Sequence, residues 1–212
     1  APRSPPPPAG PLVSFQPPMP GAMNYAELKV DDLAPPSSVS KQELQDRLEL
    51  WRALQTSFLA DHQGPVPLAQ NTVYQRAIKL MDSKAAEAFD LTQEKGSVRD
   101  AYGRSRFGQG CLMARRLIER GVSFVEVSLG DVAENRLGWD THLGNFAAVK
   151  SLSAELDNGW GTLMEELKDR GLLESTTILW MGEFGRTPKI NPQAGRDHFP
   201  AAWTCVLAGG GI

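Results

Sequence analysis

Three short stretches of the chain carry residues able to do chemistry. Trp139-Asp140-Thr141-His142 sets a carboxylate and an imidazole two positions apart, so on extended backbone both side chains face one way and can share a cation. The plainer alternative is that Asp140 caps the following helix and His142 is exposed. Gly182-Glu183-Phe184-Gly185-Arg186-Thr187-Pro188 follows an apolar run, and glycines on either side of Glu183 either let backbone approach a ligand or make a turn with a solvated acid and arginine. Gly195-Arg196-Asp197-His198-Phe199-Pro200 puts an acid next to an imidazole. Adjacent residues on extended chain face opposite ways, so one of Asp197 and His198 can ligate an ion while the other supports it from outside. A buried structural histidine is the alternative there. The third histidine, His62, reads as a helix C-terminal residue.

The elements that must position these stretches are read from periodicity and punctuation. Residues 1–38 hold most of the prolines, Pro5 to Pro8, Pro17, Pro18, Pro35 and Pro36 among them, and form a linker or surface-wrapping segment. Residues 39–121 form a helical lead-in. Its first helix starts with the capping box Ser40-Lys41-Gln42-Glu43, aligns Leu44, Leu48, Trp51, Leu54 and Phe58 on one face, and ends at Gly64-Pro65-Val66-Pro67. A second helix runs from about Asn71 to Phe89, and a third from about Ser105 to Arg120, where Arg115 and Arg116 read as a solvated face.

Residues 122–212 form the segment that carries the candidate site. Residues 122–129 suit a strand, 145–170 a long helix, 176–181 a strand buried on both faces, and 202–208 a third strand. Strand, helix and strand make a βαβ unit, whose right-handed crossover would set the two strands parallel. The expected fold class is therefore α/β, a mostly parallel sheet with a βαβ crossover preceded by the helical lead-in. In such sheets ligands bind beyond the carboxyl ends of the strands. The loop carrying Asp131, Glu134, Asp140 and His142 and the loop carrying Glu183, Arg186, Lys189, Arg196, Asp197 and His198 both leave such ends.

Composition bounds the rest. Of 212 residues, 41% are hydrophobic and 22% charged, which excludes a disordered or collagen-like chain. With 22 basic residues against 25 acidic ones the net charge is -3, and no nucleic-acid or membrane-surface partner is expected. No apolar run approaches the roughly 18 residues needed to span a bilayer. Cys111 and Cys205 lie too far apart for a redox pair or zinc knuckle and read as two buried thiols. The opening at Ala1 and the ending just after a strand-like run suggest an incomplete domain, part of something longer.

Together the three stretches resemble the DUF1501 family of bacterial proteins, which is grouped with the alkaline phosphatase and sulfatase superfamily; the likeness runs from about Asn24 to the end. The resemblance implies an alkaline phosphatase-like fold and metal-assisted hydrolysis of a phosphate or sulfate ester at a two-ion site, with Asp140, His142, Glu183 and His198 as ligands and Asp197 as a substitute where Phe184 replaces a ligating histidine. Imidazoles among the ligands favour Zn or Mn over Ca. Arg186 or Arg196 would clamp the nonbridging oxygens of a small anionic ester or a sulfated polysaccharide. The superfamily's first aspartate and its Ser or Thr nucleophile have no counterpart here, which leaves a non-catalytic binding or scaffold protein as the alternative. The resemblance also implies an extracytoplasmic location.

Overall fold

In a computed structural model, residues 13–16, 25–30, 33–81, 84–130 and 138–212 are described. Asp131 and Glu134 fall outside them, as does most of the proline-rich start. The chain divides into two compact units, Ala1–Ser14 with Lys29–Asp90 and Phe15–Leu28 with Leu91–Ile212. Short strands β1 (Val13–Gln16) and β2 (Glu27–Val30) form a two-stranded sheet. Among the described residues no helix is long and apolar enough to cross a membrane.

The first unit is built on a helical hairpin. Helix α1 (Lys41–Asp61) starts where the capping box predicts, with the Ser40 hydroxyl accepting the Glu43 N–H at 3.1 Å. Helix α2 (Pro65–Met81) starts earlier than the expected position near Asn71. Pro65 closes one helix and opens the next, because the first helical position needs no N–H donor and proline's φ is already helical. The two helices meet at Trp51 and Tyr74, whose ring centroids lie 5.9 Å apart.

The second unit holds the candidate site. After a short helix α3 (Gly96–Ala101), helix α4 (Arg106–Glu119) packs along the long helix α5 (Asn145–Asp169). Ser105 caps α4 through the Gly108 N–H at 3.1 Å. Tyr102, Leu112, Leu152 and Leu167 are fully buried between these helices. The contact requires Gly159, since a Cβ there would come within 2.8 Å of the Phe107 ring.

Arg115 and Arg116 are not on a solvated face; they are 2% and 4% exposed. Three carboxylates surround the Arg115 guanidinium, Glu94, Glu119 and Glu166, each at 2.9 Å. The Glu119 contact is a well-directed hydrogen bond, whereas Nε and Nη2 meet their carboxylates at ion-pair distance without hydrogen-bond alignment. Arg170 joins Glu119 and Glu166 from α5's end, so the cluster ties α4 to α5 and to the segment before α3. The thiols also part company: Cys111 is buried and its pKa is pushed up to about 12 by burial, while Cys205 is exposed.

The sheet expectation is overturned. Among the described residues the structure is about 53% helical, with short two-stranded sheets, two of them antiparallel, and no mostly parallel sheet. Strand β3 (Thr177–Met181) runs antiparallel to β6 (Cys205–Gly209), in register from Thr177 opposite Gly209 to Met181 opposite Cys205. Between them the chain makes a second small ladder, β4 (Gly185–Arg186) with β5 (His198–Phe199). Residues 122–129 are assigned to no strand, so the βαβ unit and its crossover are absent among the described residues. The valines and Phe124 give that segment the composition of a strand, but strand structure requires a ladder partner as well as propensity. The apolarity of β3 misled similarly: Leu179, Trp180 and Met181 are 53%, 38% and 48% exposed on a two-stranded ribbon.

Removing the Arg115 guanidinium leaves three carboxylates facing one another in a half-buried space. Arg115→Met should lower unfolding free energy by roughly 3–5 kcal/mol in chemical denaturation, and a loss under about 1 kcal/mol would contradict the role assigned to this cluster.

Candidate metal centre

The start of α5 brings the two chemical loops together. Its N-cap, Gly144, offers no side chain, so the first backbone donors need other acceptors. They find them in the second loop: Gly144 N–H donates to the Gln193 carbonyl at 3.2 Å and Asn145 N–H to the Ala194 carbonyl at 3.0 Å. Arg196 N–H donates back to the Thr141 carbonyl at 2.9 Å. Buried Thr141 turns inward and donates to the Asn145 side chain at 2.7 Å, while Asp140 and His142 on either side of it remain partly exposed.

The approach is tight at Gly195, where a Cβ would lie 1.8 Å from the His142 carbonyl oxygen. Ala194 just before it has φ 57°, a left-handed backbone that only a few non-glycine residues adopt. The turn from Asn191 to Gly195 is closed by Asn191 N–H on the Gly195 carbonyl, 2.9 Å, and by Ala194 N–H on the Asn191 carbonyl, 3.1 Å.

This docking gathers three ligand atoms. His142 Nε2 stands 3.1 Å from Asp140 Oδ1 and 3.1 Å from His198 Nε2, and the latter stands 3.2 Å from Asp140 Oδ1. Asp140, His142 and His198 form a group whose ligand atoms all lie within 4.8 Å of one another, and it is the group of this kind found among the described residues. Ligands about 2.0–2.2 Å from one ion stand roughly 3.0–3.5 Å apart, so the spacing fits a shared cation.

Outside the triangle, His142 Nδ1 faces Asp197 Oδ1 at 3.1 Å. A carboxylate only accepts, so a proton on Nδ1 would satisfy this contact and leave the Nε2 lone pair toward the other two ligand atoms. Lone pairs crowded at such distances are relieved by a cation or a donor between them. Part of that role falls to Arg186, whose Nη2 donates to Asp140 Oδ1 at 2.6 Å and whose Nη1 donates to His142 Nε2 at 3.3 Å. Hydrogen bonds from Arg186 first, then from His198, hold the Asp140 carboxyl below the usual aspartate range. Asn191 first, then His142, do the same for Asp197.

The other candidates from the sequence stand apart from the triangle. Glu183 is exposed and lies outside the group of three, though it lines the same open cavity as Asp140, Arg186 and His198. Arg196 donates through Nη1 to the Thr187 and Pro188 carbonyls at 2.6 and 2.8 Å, which fastens the loop. Phe184 lays its ring against His198, centroids 4.4 Å apart. The cavity, about 2330 Å³, runs from these groups along Trp139, Trp160 and Trp180. Sequence reasoning missed Asn191. The signal was there, since Asn191-Pro192 followed by Gly195 is turn chemistry, but nothing tied that turn to His142.

The chain matches the model of the DUF1501 family, described as a protein of unknown function, over residues 11–212, and it belongs to that family. No curated protein and no solved structure matches it.

Two measurements check the geometry. Carboxyl-carbon NMR titration should place the midpoints of Asp140 and Asp197 below the ordinary value of about 3.9. Because both values are depressed, the stability these contacts contribute is present above the ordinary value and lost as pH falls through the lowered ones; a midpoint at or above 3.9 for either residue contradicts the contacts described. In Gly195→Ala the added methyl should part the loops, so the proton cross-peak between the His142 and His198 rings, 4.7 Å apart by centroid, should vanish while the α4–α5 core signals stay. An unchanged cross-peak would show that this close approach is not needed.

Proposed function

We propose that this DUF1501 protein holds a divalent ion between Asp140, His142 and His198 and serves in the hydrolysis of phosphate or sulfate esters, as alkaline phosphatase- and sulfatase-like hydrolases do. The observation that carries the reading is the triangle of ligand atoms with 3.1–3.2 Å sides, one of its imidazoles oriented from outside by Asp197. Two imidazoles and one carboxylate suit Zn or Mn better than Ca. A bound ion would supply Lewis-acid polarisation of an ester oxygen.

The chain's own groups account for binding and orientation. Asp140 and Asp197 carry two negative charges and Arg186 one positive, so the cluster alone is anionic and a divalent ion makes it cationic, which favours an anionic ester. The Arg186 fork can turn from Asp140 to two oxygens of a phosphoryl or sulfuryl group. The tryptophan-lined cavity would receive the rest of a small ester or a length of sulfated polysaccharide. An extracytoplasmic site of action completes the reading and rests on the family resemblance.

A second reading, a binding or scaffold protein without catalysis, is favoured by one contact. Arg186 already spans Asp140 and His142, so the cluster is partly neutralised from within.

Equilibrium dialysis against Zn²⁺ or Mn²⁺, followed by elemental analysis, should find close to one ion per chain, and none in the Asp140→Ala/His142→Ala double variant. Asp197→Ala should weaken binding by roughly 10–100-fold. Turnover of 4-nitrophenyl phosphate or 4-nitrophenyl sulfate that needs the ion and disappears in the double variant supports hydrolysis. Absence of turnover supports the scaffold, and absence of ion binding contradicts the metal centre itself.

A further inference from the structure

We infer that Asn191 is the positioning residue of the centre: it fixes Asp197 and the His142 backbone in one grip, and so sets which nitrogen of His142 is offered to the ion. The inference rests on the metal reading above and adds a residue that touches no ligand atom of the triangle.

Asn191 uses its whole amide. Nδ2 donates to the His142 carbonyl at 3.0 Å and to Asp197 Oδ1 at 2.9 Å. Oδ1 accepts the Gln193 N–H at 3.0 Å and the Gly195 N–H at 2.8 Å. Two donors face two acceptors and the acceptor faces two donors, so the opposite amide orientation would set like against like at every contact. One side chain thus closes its own turn through Gly195, holds that turn against His142, and directs the oxygen of Asp197 that also meets His142 Nδ1.

The consequence is tautomeric control. Asp197 is half exposed and has rotameric freedom of its own. With Asn191 on Oδ1, that oxygen stays in front of His142 Nδ1, the proton stays on Nδ1, and Nε2 keeps its lone pair toward Asp140 and His198. Without the grip the carboxylate can swing away, and the proton can move to Nε2, where it blocks ligation. Asn191→Asp is the sharpest substitution, because it keeps the shape and replaces both donors by acceptors facing the His142 carbonyl and the Asp197 carboxylate. Asn191→Ala removes the grip without adding repulsion. In that variant the backbone bonds from Gly144 and Asn145 to the Gln193 and Ala194 carbonyls, and from Arg196 to Thr141, still join the loops.

The test uses both variants in the full chain with two readouts. In the metal-free protein, nitrogen-15 imidazole spectra should show His142 mainly as the Nδ1–H tautomer in the wild type and shifted toward Nε2–H in Asn191→Asp and Asn191→Ala. His62, bonded to the Phe58 carbonyl in the other unit, should be unchanged and serves as internal reference for the spectra, while unchanged α4–α5 core signals check that the site's own unit folds. Competition against a zinc-chelating dye should give about tenfold weaker Zn²⁺ binding in Asn191→Ala, and weaker still in Asn191→Asp. An Asn191→Ala protein with wild-type tautomer and wild-type zinc affinity overturns the inference. Should the wild type bind no zinc, the metal reading fails by itself, and the tautomer spectra of the metal-free proteins still decide for or against Asn191.

Discussion

The candidate site depends on an uncapped helix. Helix α5 starts at a glycine that has no side chain to offer its first N–H groups, and burial of such donors without acceptors is costly. The carbonyls of Gln193 and Ala194 meet that need, and in doing so bring a loop about fifty residues downstream against the helix start. Every contact of the candidate centre follows. The return bond from Arg196 to Thr141 aligns the strands of chain side by side, Gly195 allows them to approach within the space a Cβ would take, and His198 arrives opposite His142. The site is a by-product of helix capping in the sense that the same hydrogen bonds do both jobs.

That arrangement separates two kinds of constraint in the second unit. Behind the site, the α4–α5 core is held by apolar burial around Tyr102, Leu112, Leu152 and Leu167 and by the buried charges around Arg115. At the site itself, half-exposed side chains are held mainly by hydrogen bonds, with the Phe184 ring against His198. Such polar contacts are individually worth little in water, so precision at the centre comes from their number and from the closed circuit Asn191, Asp197 and His142 make. Arg186 joins this circuit through His142 and links it to Asp140.

The starts of α1, α4 and α5 and the chemical loops were legible in the sequence, because capping and turn chemistry are local. Ser40 and Ser105 announce α1 and α4 by type and spacing, and the apolar repeat from Phe146 to Leu167 announces α5. Sheet topology was not legible. Strand direction depends on which segment a strand meets, and the excursion between Met181 and Cys205 returns β6 antiparallel beside β3 while residues 122–129 gain no ladder partner among the described residues. Burial also failed to follow from apolarity alone: the β3 run is exposed, and the charged pair Arg115 and Arg116 is buried because Glu94 and Glu166, distant in sequence, and Glu119, one helical turn on, enclose it. At the site, residue types pointed to Asp140, His142 and His198, but the support from Asn191 needed the fold, since an asparagine in a turn looks the same whether or not it holds a histidine.

The most direct test is anomalous diffraction at the zinc edge from crystals of the chain grown with Zn²⁺. The account predicts a single strong peak lying about 2.0–2.2 Å from Asp140 Oδ1, His142 Nε2 and His198 Nε2. A structure with the two imidazoles turned away from each other, or with zinc elsewhere and none at this point, would contradict it.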